Sequence, residues 1–157
     1  MNTHVTPSAG VPNQIRIIFP GVLSSVRAFL DGLGRFLDEW GVSGAERSAI
    51  MIAAEEIFVN VVRHAYLQEP GEIVVTLAAR DREVEITISD SGHPFNPLTA
   101  AEPELNRPLE ERTAGGLGLL LVRKLADGVR YERRGEANVI TLTKHVGQVF
   151  LPPSVST

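Results

Sequence analysis

Cysteine is absent from the 157-residue sequence, and tryptophan occurs only once. Without cysteine the chain can form neither a disulfide nor a thiolate metal site, and it is compatible with a reducing compartment. Basic residues do not predominate either, because 15 Lys and Arg stand against 19 Asp and Glu, a formal net charge of −4. This balance gives no electrostatic reason to expect nucleic acid or an anionic membrane as a partner.

Long apolar runs are missing as well. No stretch approaches the roughly 20 apolar residues that a membrane-spanning helix needs, and residues 1–14 lack the basic region and apolar segment of a signal peptide. We therefore expect a cytoplasmic protein. With 43% hydrophobic residues, the chain is expected to hold one domain at 14–144, between a flexible tail at 1–13 and a second tail at 145–157.

The most informative stretch is a predicted helix at residues 44–67. Helical spacing places its polar residues Glu56, Asn60, Arg63 and His64 on one narrow stripe. The stripe is either the solvated face of an amphipathic helix or the wall of a pocket. Both interpretations remain open, although one carboxylate and one carboxamide are few polar groups for a solvated face. The opposite, apolar arc comprises Ile50, Met51, Ala54, Ile57, Phe58, Val61, Val62 and Ala65.

The stretch before this helix predicts a strand and a first helix. Residues 14–19 alternate in hydrophobicity and stop at Pro20, which indicates a short strand at the edge of a sheet. Apolar residues from 21 to 40 recur at helical spacing. Ser43 followed by Glu46 is the pattern of a capping box that opens the second helix.

Two strands joined by a tight turn are predicted after the second helix. Alternating apolar residues at 73–79 and 84–88 flank Asp81 and Arg82, which have the composition of a hairpin turn. Asp90 continues the parity of the second apolar face, so its carboxylate points toward the core, where an unpaired charge is costly. The alternative is that Asp90 only begins an Asp-Ser-Gly turn.

The last third of the chain combines a long irregular stretch with a glycine-led helix. Residues 94–114 carry four prolines and no periodic pattern, which is typical of a lid or of a disordered segment. A helix predicted after Gly115, Gly116 and Gly118 would offer free backbone N–H groups to phosphate, although such glycines are also common as hinges. No Gly-Lys-Ser/Thr follows them, so this is not a mononucleotide P-loop. Two further strands are predicted at 129–133 and 139–144.

The order of three motifs resembles a known superfamily. Glu56-x-x-x-Asn60 on a helix, a strand that ends in Asp90-x-Gly92, and Gly116-x-Gly118 at a helix start occur in the order found in GHKL proteins. Within that superfamily the stretches EEIFVNVVRHAY, ISDSGHPFNP and GGLGLLLVRKLAD are similar to the bacterial anti-sigma-factor serine/threonine kinases. The resemblance covers 14–144. It implies the Bergerat ATP-binding fold, an α+β two-layer sandwich whose mixed or antiparallel sheet is covered on one face by helices.

The resemblance also implies roles for individual residues, with ATP and Mg²⁺ as cofactors. Glu56 would orient or deprotonate the attacking hydroxyl, and Asn60 would ligate Mg²⁺ between the phosphates. Asp90 would accept a hydrogen bond from the adenine amino group, and Gly92 would let the chain approach the base. Residues 95–114 would form the ATP lid. The remaining implied contacts to phosphate or metal-bound water come from the side chains of Arg63 and His64 and from the backbone N–H groups of Gly116, Leu117, Gly118 and Leu119, although a structural hydrogen bond is the favoured role for His64.

One position departs from the family pattern. The subgroup often has Arg before the Gly-Leu-Gly run, whereas this chain has Gly115, and Arg112 is the nearest substitute. An additional cation matters most where charge develops in the transition state, so the departure bears on phosphoryl transfer more than on ATP binding.

The resemblance predicts an ATP-dependent serine/threonine protein kinase that acts as an anti-sigma factor. It would phosphorylate a small anti-sigma-factor antagonist and sequester a sigma factor or similar regulator. A homodimer or partner surface is expected on the first helix and strand, with Trp40 or Phe36 exposed. The alternatives are a nucleotide-binding partner-switching regulator without phosphoryl transfer and a sandwich with no nucleotide function.

Overall fold

A six-stranded sheet and three α-helices make up the part of the chain that the computed structural model describes, namely residues 5–7, 14–66, 70–99 and 116–147. The strand order is β1-β2-β3-β4-β6-β5, and every neighbouring pair is antiparallel. The elements in chain order are β1 Val5–Pro7, β2 Gln14–Pro20, α1 Ser25–Glu39, α2 Gly44–His64, β3 Glu72–Arg80, β4 Glu83–Asp90, a short 3-10 helix Pro97–Thr99, α3 Gly116–Leu125, β5 Gly128–Arg134 and β6 Ala137–His145.

Alternation in the strands gives the sheet one apolar face. In β3 and β4 every second side chain is buried, as the sequence pattern predicts. The two strands are joined by Asp81 and Arg82, and Asp81 adopts a φ of 49°, the left-handed conformation that tight hairpin turns require. The helices pack on this face, which confirms the predicted α+β two-layer sandwich and its antiparallel sheet.

Three phenylalanines fasten the helices to the sheet. Phe29 of α1 and Phe58 of α2 stack with ring centroids 4.4 Å apart, and the ring of Phe19 from β2 lies nearly perpendicular to both. Such aromatic pairs contribute about 0.5–1.5 kcal/mol beyond the burial of their area. The apolar arc predicted for α2 is thus the face that packs into the core. Even α2, with 21 residues, is not apolar enough to span a bilayer, and within the described ranges no other helix is either.

Tyr66, just beyond the end of α2, locks that helix to the start of β3. Its ring fills the space in front of Gly21 and Gly71, where an added Cβ would collide with it. Its hydroxyl donates a hydrogen bond to the carbonyl of Glu72 at 2.7 Å and accepts one from the backbone N–H of Ser91 at 3.3 Å. The end of α2 is therefore fixed against the loop that follows β4.

Two local predictions from the sequence are wrong. β2 is not an edge strand, because β1 pairs with it from within the segment expected to be a tail, with Val5 opposite Ile17. Ser43 precedes α2 in an extended conformation but its side chain caps nothing. The carboxylate of Glu46 instead accepts a hydrogen bond from the N–H of Gly147 at 3.0 Å, so a contact distant in sequence replaces the expected capping box.

The expected exposed aromatic surface on α1 is also wrong. Phe36 is 1% exposed and Trp40 is 3% exposed, because the apolar face of α1 packs inward and the two rings lie against each other with centroids 6.0 Å apart. Neither ring is available for a homodimer or partner contact.

Candidate functional site

The C-terminal half of α2 presents Glu56 and Asn60 on the side away from the core. Both side chains are partly buried, and they lie one helical turn apart, which is a rise of about 6 Å. Arg63 and His64 follow at the exposed end of the same stripe. Among the residues that the structure describes, neither the Glu56 nor the Asn60 side chain makes a hydrogen bond, so their oxygen atoms are available to a ligand.

The start of α3 lies against Glu56. A Cβ added at Gly118 would collide with the Oε2 atom of Glu56, so glycine at 118 lets the carboxylate reach the backbone of the helix start. Because α3 begins at Gly116, its first N–H groups lack intrahelical partners, and these belong to Gly116, Leu117, Gly118 and Leu119. The Leu117 side chain is exposed and that of Leu119 is buried. The structure thus brings together Glu56 and the predicted phosphate-binding backbone.

The end of α2 also touches the loop after β4. The carbonyl of Ala65 accepts a hydrogen bond from the N–H of His93 at 2.8 Å. Gly92 is so close to Ala65 that a Cβ at this position would collide with its carbonyl group. Glycine at 92 is therefore required for the loop to approach α2, whatever further part it plays with a ligand.

Asp90 ends β4 with its carboxylate turned inward, as its parity predicts, and the residue is 3% exposed. Its Oδ1 atom accepts hydrogen bonds from the N–H of Gly92 and the Nδ2 group of Asn138, both at 2.9 Å. Burial raises the pKa of Asp90, while these two hydrogen bonds and the charge of Arg133 lower it. Asp90 therefore begins a turn, and its buried carboxylate is also held by hydrogen bonds.

Asn138 of β6 is bonded to Asp90, and the sequence patterns had not singled it out. It is 1% exposed, and its Oδ1 atom accepts hydrogen bonds from the Tyr131 hydroxyl and an Arg133 N–H, each at 2.8 Å. It lies directly opposite Asp90 in the sheet register. Asn138 shares the parity of Ile140 and Leu142, so the alternation that singled out Asp90 also marks Asn138 as an inward polar residue.

The segment predicted to begin the lid is held between α2 and α3. The ring of Phe95 stacks on His64 with centroids 4.5 Å apart, so His64 makes an aromatic contact where a hydrogen bond was expected. Arg123 of α3 donates a hydrogen bond to the carbonyl of Leu98 at 2.9 Å. Residues 100–115, which include Arg112, Gly115 and most of the predicted lid, lie outside the described residues.

One helix therefore carries both parts of the site. Glu56 and Ala65 are nine residues apart on α2 and its end, a rise of about 13 Å. Glu56 meets the start of α3, and Ala65 meets the loop that holds Asp90 and Gly92. The predicted residues thus lie along α2 or at its contacts with the start of α3 and the loop after β4, while their individual roles stay predictions.

Residues 19–144 match the family described as histidine kinase-like ATPase domain. Because this match spans most of the sequence, the chain belongs to that family, and the superfamily resemblance drawn from the three motifs is confirmed.

Two of the similar proteins are named as protein kinases. Serine/threonine-protein kinase BtrW from Bordetella bronchiseptica is 37% identical over 109 residues, which is 69% of this chain and 75% of that protein. Serine-protein kinase RsbW from Bacillus mycoides is 31% identical over 99 residues, 60% of this chain and 61% of that kinase. The chain thus matches about three-fifths of the RsbW sequence.

A solved structure supports the same fold. The crystal structure of the RsbU and RsbW domains of Rv1364c from Mycobacterium tuberculosis superposes with a TM-score of 0.60 at 20% identity. The superposition covers 96% of this chain and 35% of that one. At this identity the likeness concerns the fold alone.

Proposed function

We propose that the chain is an ATP-binding serine/threonine protein kinase that acts as an anti-sigma factor. It transfers the γ-phosphoryl group of ATP to a serine of a small anti-sigma-factor antagonist, and it sequesters a sigma factor or similar regulator. The observation that carries the proposal is that α2 contacts both the start of α3 and the loop after β4. Its Glu56 lies against Gly118 at the start of α3, and its Ala65 end lies against the Asp90 loop.

The base end of the site consists of Asp90, Gly92 and Asn138. Burying a carboxylate costs free energy unless it is paired or hydrogen-bonded. Asp90 is 3% exposed at the tip of its strand, and its proposed role is to accept a hydrogen bond from the adenine amino group. Both described hydrogen bonds of Asp90 fall on Oδ1, which leaves Oδ2 for the base. This end supplies binding and selectivity for adenine.

The phosphate end consists of Glu56, Asn60 and the N–H groups of residues 116–119. The free N–H groups and the positive end of the helix dipole favour an anion at the start of α3. Arg63 is exposed one turn beyond Asn60 and adds a positive charge near the same place. These groups orient the triphosphate toward Glu56.

Asn60 fits a Mg²⁺ ion held mainly by the phosphates. Mg²⁺ prefers hard oxygen ligands and keeps several waters, so one carboxamide oxygen beside the phosphate position is an adequate protein ligand. In the described part of the chain no group of three or more His, Asp or Glu side chains could hold a metal by itself. When bound, the ion neutralises charge on the phosphates.

Glu56 serves as the base or orienting group for the hydroxyl of the protein substrate. The serine oxygen forms a bond to the γ-phosphorus, the bond from this phosphorus to the bridging oxygen breaks, and ADP leaves. The serine proton passes to the Glu56 carboxylate, which must lie within hydrogen-bond reach of the hydroxyl. The carboxylate lies close to Gly118, beside the backbone that would bind the γ-phosphate.

The protein partners, a cytoplasmic location and a homodimer belong to the proposal as well. Support for the kinase activity comes from the relatives named serine/threonine-protein kinase BtrW and serine-protein kinase RsbW. The competing function is a nucleotide-binding partner-switching regulator that transfers no phosphate. Gly115 favours it, because an arginine at that position would stabilise the transition state.

The deciding experiment incubates the purified chain with Mg²⁺, γ-labelled ATP and a candidate antagonist, beside a copy of the antagonist whose acceptor serine is alanine. We expect label on the first protein and none on the second. A rise in melting temperature with ATP but no label would favour the regulator. If ATP causes no rise in melting temperature and no label is transferred, both functions are rejected.

A further inference from the structure

An exposed arginine on β5 is connected to the buried carboxylate of the base end through a single carboxamide. In the sheet register Asp90, Asn138 and Arg133 lie side by side on β4, β6 and β5. Arg133 donates a hydrogen bond from Nη1 to Oδ1 of Asn138 at 2.8 Å and another to the carbonyl of Gly92 at 3.3 Å. The guanidinium thus holds both the carboxamide and the loop that follows Asp90.

Arg133 helps to fix which way the Asn138 carboxamide faces, together with the Tyr131 hydroxyl and the backbone N–H of Phe95, which also donate to its Oδ1 atom. A guanidinium can only donate hydrogen bonds, so the oxygen of the carboxamide must face it. The two N–H groups of Asn138 then point the other way, toward Oδ1 of Asp90 and the carbonyl of His93, each at 2.9 Å. A carboxamide turned by 180° has nearly the same shape but would set donor against donor and acceptor against acceptor at these contacts.

The orientation of Asn138 in turn determines which Asp90 oxygen is offered to a ligand. With N–H groups from Asn138 and Gly92 both on Oδ1, the carboxylate is held with Oδ2 outward. We propose that Arg133 and Asn138 are positioning residues for purine recognition, which hold Asp90 ready to accept a hydrogen bond from the 6-amino group of adenine. This inference rests on the proposed function and extends it to two residues that carry none of the predicted roles.

The same residues influence the charge of Asp90. Burial raises the pKa of this carboxyl, and the positive charge of Arg133 is among the causes that lower it. Tyr66 at the end of α2 is a further titratable neighbour of Asp90, and its own pKa is raised by its burial. The histidines 64 and 93, at the end of α2 and in the loop after β4, are exposed. Loss of Arg133 would therefore let Asp90 protonate at a higher pH.

The test compares ATP with purine riboside triphosphate, which lacks the 6-amino group, in the full chain and in the Arg133→Ala variant. Because Arg133 is exposed, its loss is not expected to prevent folding. We expect ATP to bind Arg133→Ala about tenfold more weakly, equal to about 1.4 kcal/mol, and the analogue to bind both proteins alike. The matched control is Arg134→Ala, since Arg134 is exposed and paired with Glu132.

A second measurement follows ATP affinity as the pH is lowered. In Arg133→Ala the affinity should begin to fall at a higher pH than in the wild type, whereas Arg134→Ala, which keeps the same histidines, should follow the wild type. Equal losses for ATP and the analogue, or an unchanged acid limb, would overturn the positioning role. If the wild type binds ATP and the analogue equally well, Asp90 does not read the amino group and the inference fails while kinase activity stands. If it binds neither, the proposed function itself fails.

Discussion

Asp90 and Asn138 at the base end are 3% and 1% exposed, and hydrogen bonds from backbone and side chains hold both. At the phosphate end, Glu56 and Asn60 are partly buried, and within the described ranges no hydrogen bond fixes their side chains. Under the proposed function, the base end is therefore formed before a ligand arrives, while the phosphate end would be completed by the nucleotide, the metal and the substrate.

The difference follows from the elements that build each end. Pairing between β4, β6 and β5 fixes the base end, because sheet register leaves each residue only one set of neighbours. The phosphate end is the meeting of a helix face and a helix start, where glycine at 118 leaves room for Glu56. Preformed groups favour binding, because less conformational freedom is lost when the ligand arrives. The following changes test this division.

Glu56→Gln should have the largest effect. Without a carboxylate to accept the serine proton, phosphoryl transfer should fall by about 100-fold or more, while ATP affinity changes little. Glu55→Gln is the matched control, because Glu55 is the preceding residue and is exposed. Single-turnover transfer of label and ATP titration would separate the two effects. Equal losses in both would show that Glu56 serves binding, and the division between the two ends would fail.

Asp90→Asn should weaken ATP binding by about 10- to 100-fold. The asparagine keeps an acceptor for Gly92 and Asn138, but it sets an amide donor against the donating amino group of adenine, a mismatch that costs about 1–3 kcal/mol. The control Asp81→Asn lies in the hairpin turn at a φ of 49°, which asparagine tolerates, and should bind normally. Calorimetric titration with ATP checks both variants. An unchanged affinity in Asp90→Asn would contradict base recognition by this residue.

Gly118→Ala should lower phosphoryl transfer by about tenfold. The new Cβ would displace the flexible end of Glu56, and misplacement of a catalytic group by about 1 Å can cost up to about 100-fold. The control Gly32→Ala places its Cβ 3.5 Å from Ile17, an ordinary contact, and should add about 0.5–1 kcal/mol of stability to α1. Transfer rates and urea unfolding of both variants provide the comparison. Full activity of Gly118→Ala would mean that Glu56 need not lie at this position.

The pH dependence of the base end should show two opposite trends. Burial raises the pKa of Asp90 above its unfolded value, so between the two values the native state binds more protons than the unfolded state. Stability of the free protein should therefore fall as the pH rises through the raised pKa, while ATP affinity rises severalfold because the acceptor becomes charged. When unfolding and ATP binding are measured across this pH range, both trends should be absent from Asp90→Asn. Parallel trends would indicate another titrating group.

His64→Ala should have the smallest effect. It removes the stack on Phe95 and should lower the free energy of unfolding by about 1 kcal/mol, with less than about a threefold change in ATP affinity. Chemical denaturation and ATP titration measure the two quantities. A tenfold loss of affinity would instead place His64 among the ligand-binding groups.

Local periodicity was sufficient to predict much of the fold. Alternation in β3 and β4, the turn at Asp81 and the buried arc of α2 follow from short-range patterns, and the structure confirms them. Features that depend on distant pairing were missed. Glu46 bonds to Gly147, 101 residues away, so its local capping pattern was misleading. The contact of Asn138 with Asp90 depends on the pairing of β4 with β6, two strands that are distant in sequence.

The candidate site was predictable to the extent that its residues follow one helix or end one strand. Glu56 and Asn60 share a face by spacing alone, and Asp90 points inward by parity. The contacts of Glu56 with Gly118 and of Ala65 with Gly92 depend on how α2 packs, which no short stretch encodes. For the same reason the burial of Trp40 was missed, since its pattern fits either an exposed or an inward face of α1.

The ring of Tyr66 constrains which residues can stand together at positions 21, 66 and 71. Because the ring occupies the space in front of both Gly21 and Gly71, neither glycine can gain a side chain while tyrosine remains at 66. Homologues with a larger residue at 21 or 71 should therefore carry a smaller one at 66, and they must find another partner for the N–H of Ser91. Covariation among these three positions would record that constraint across the family.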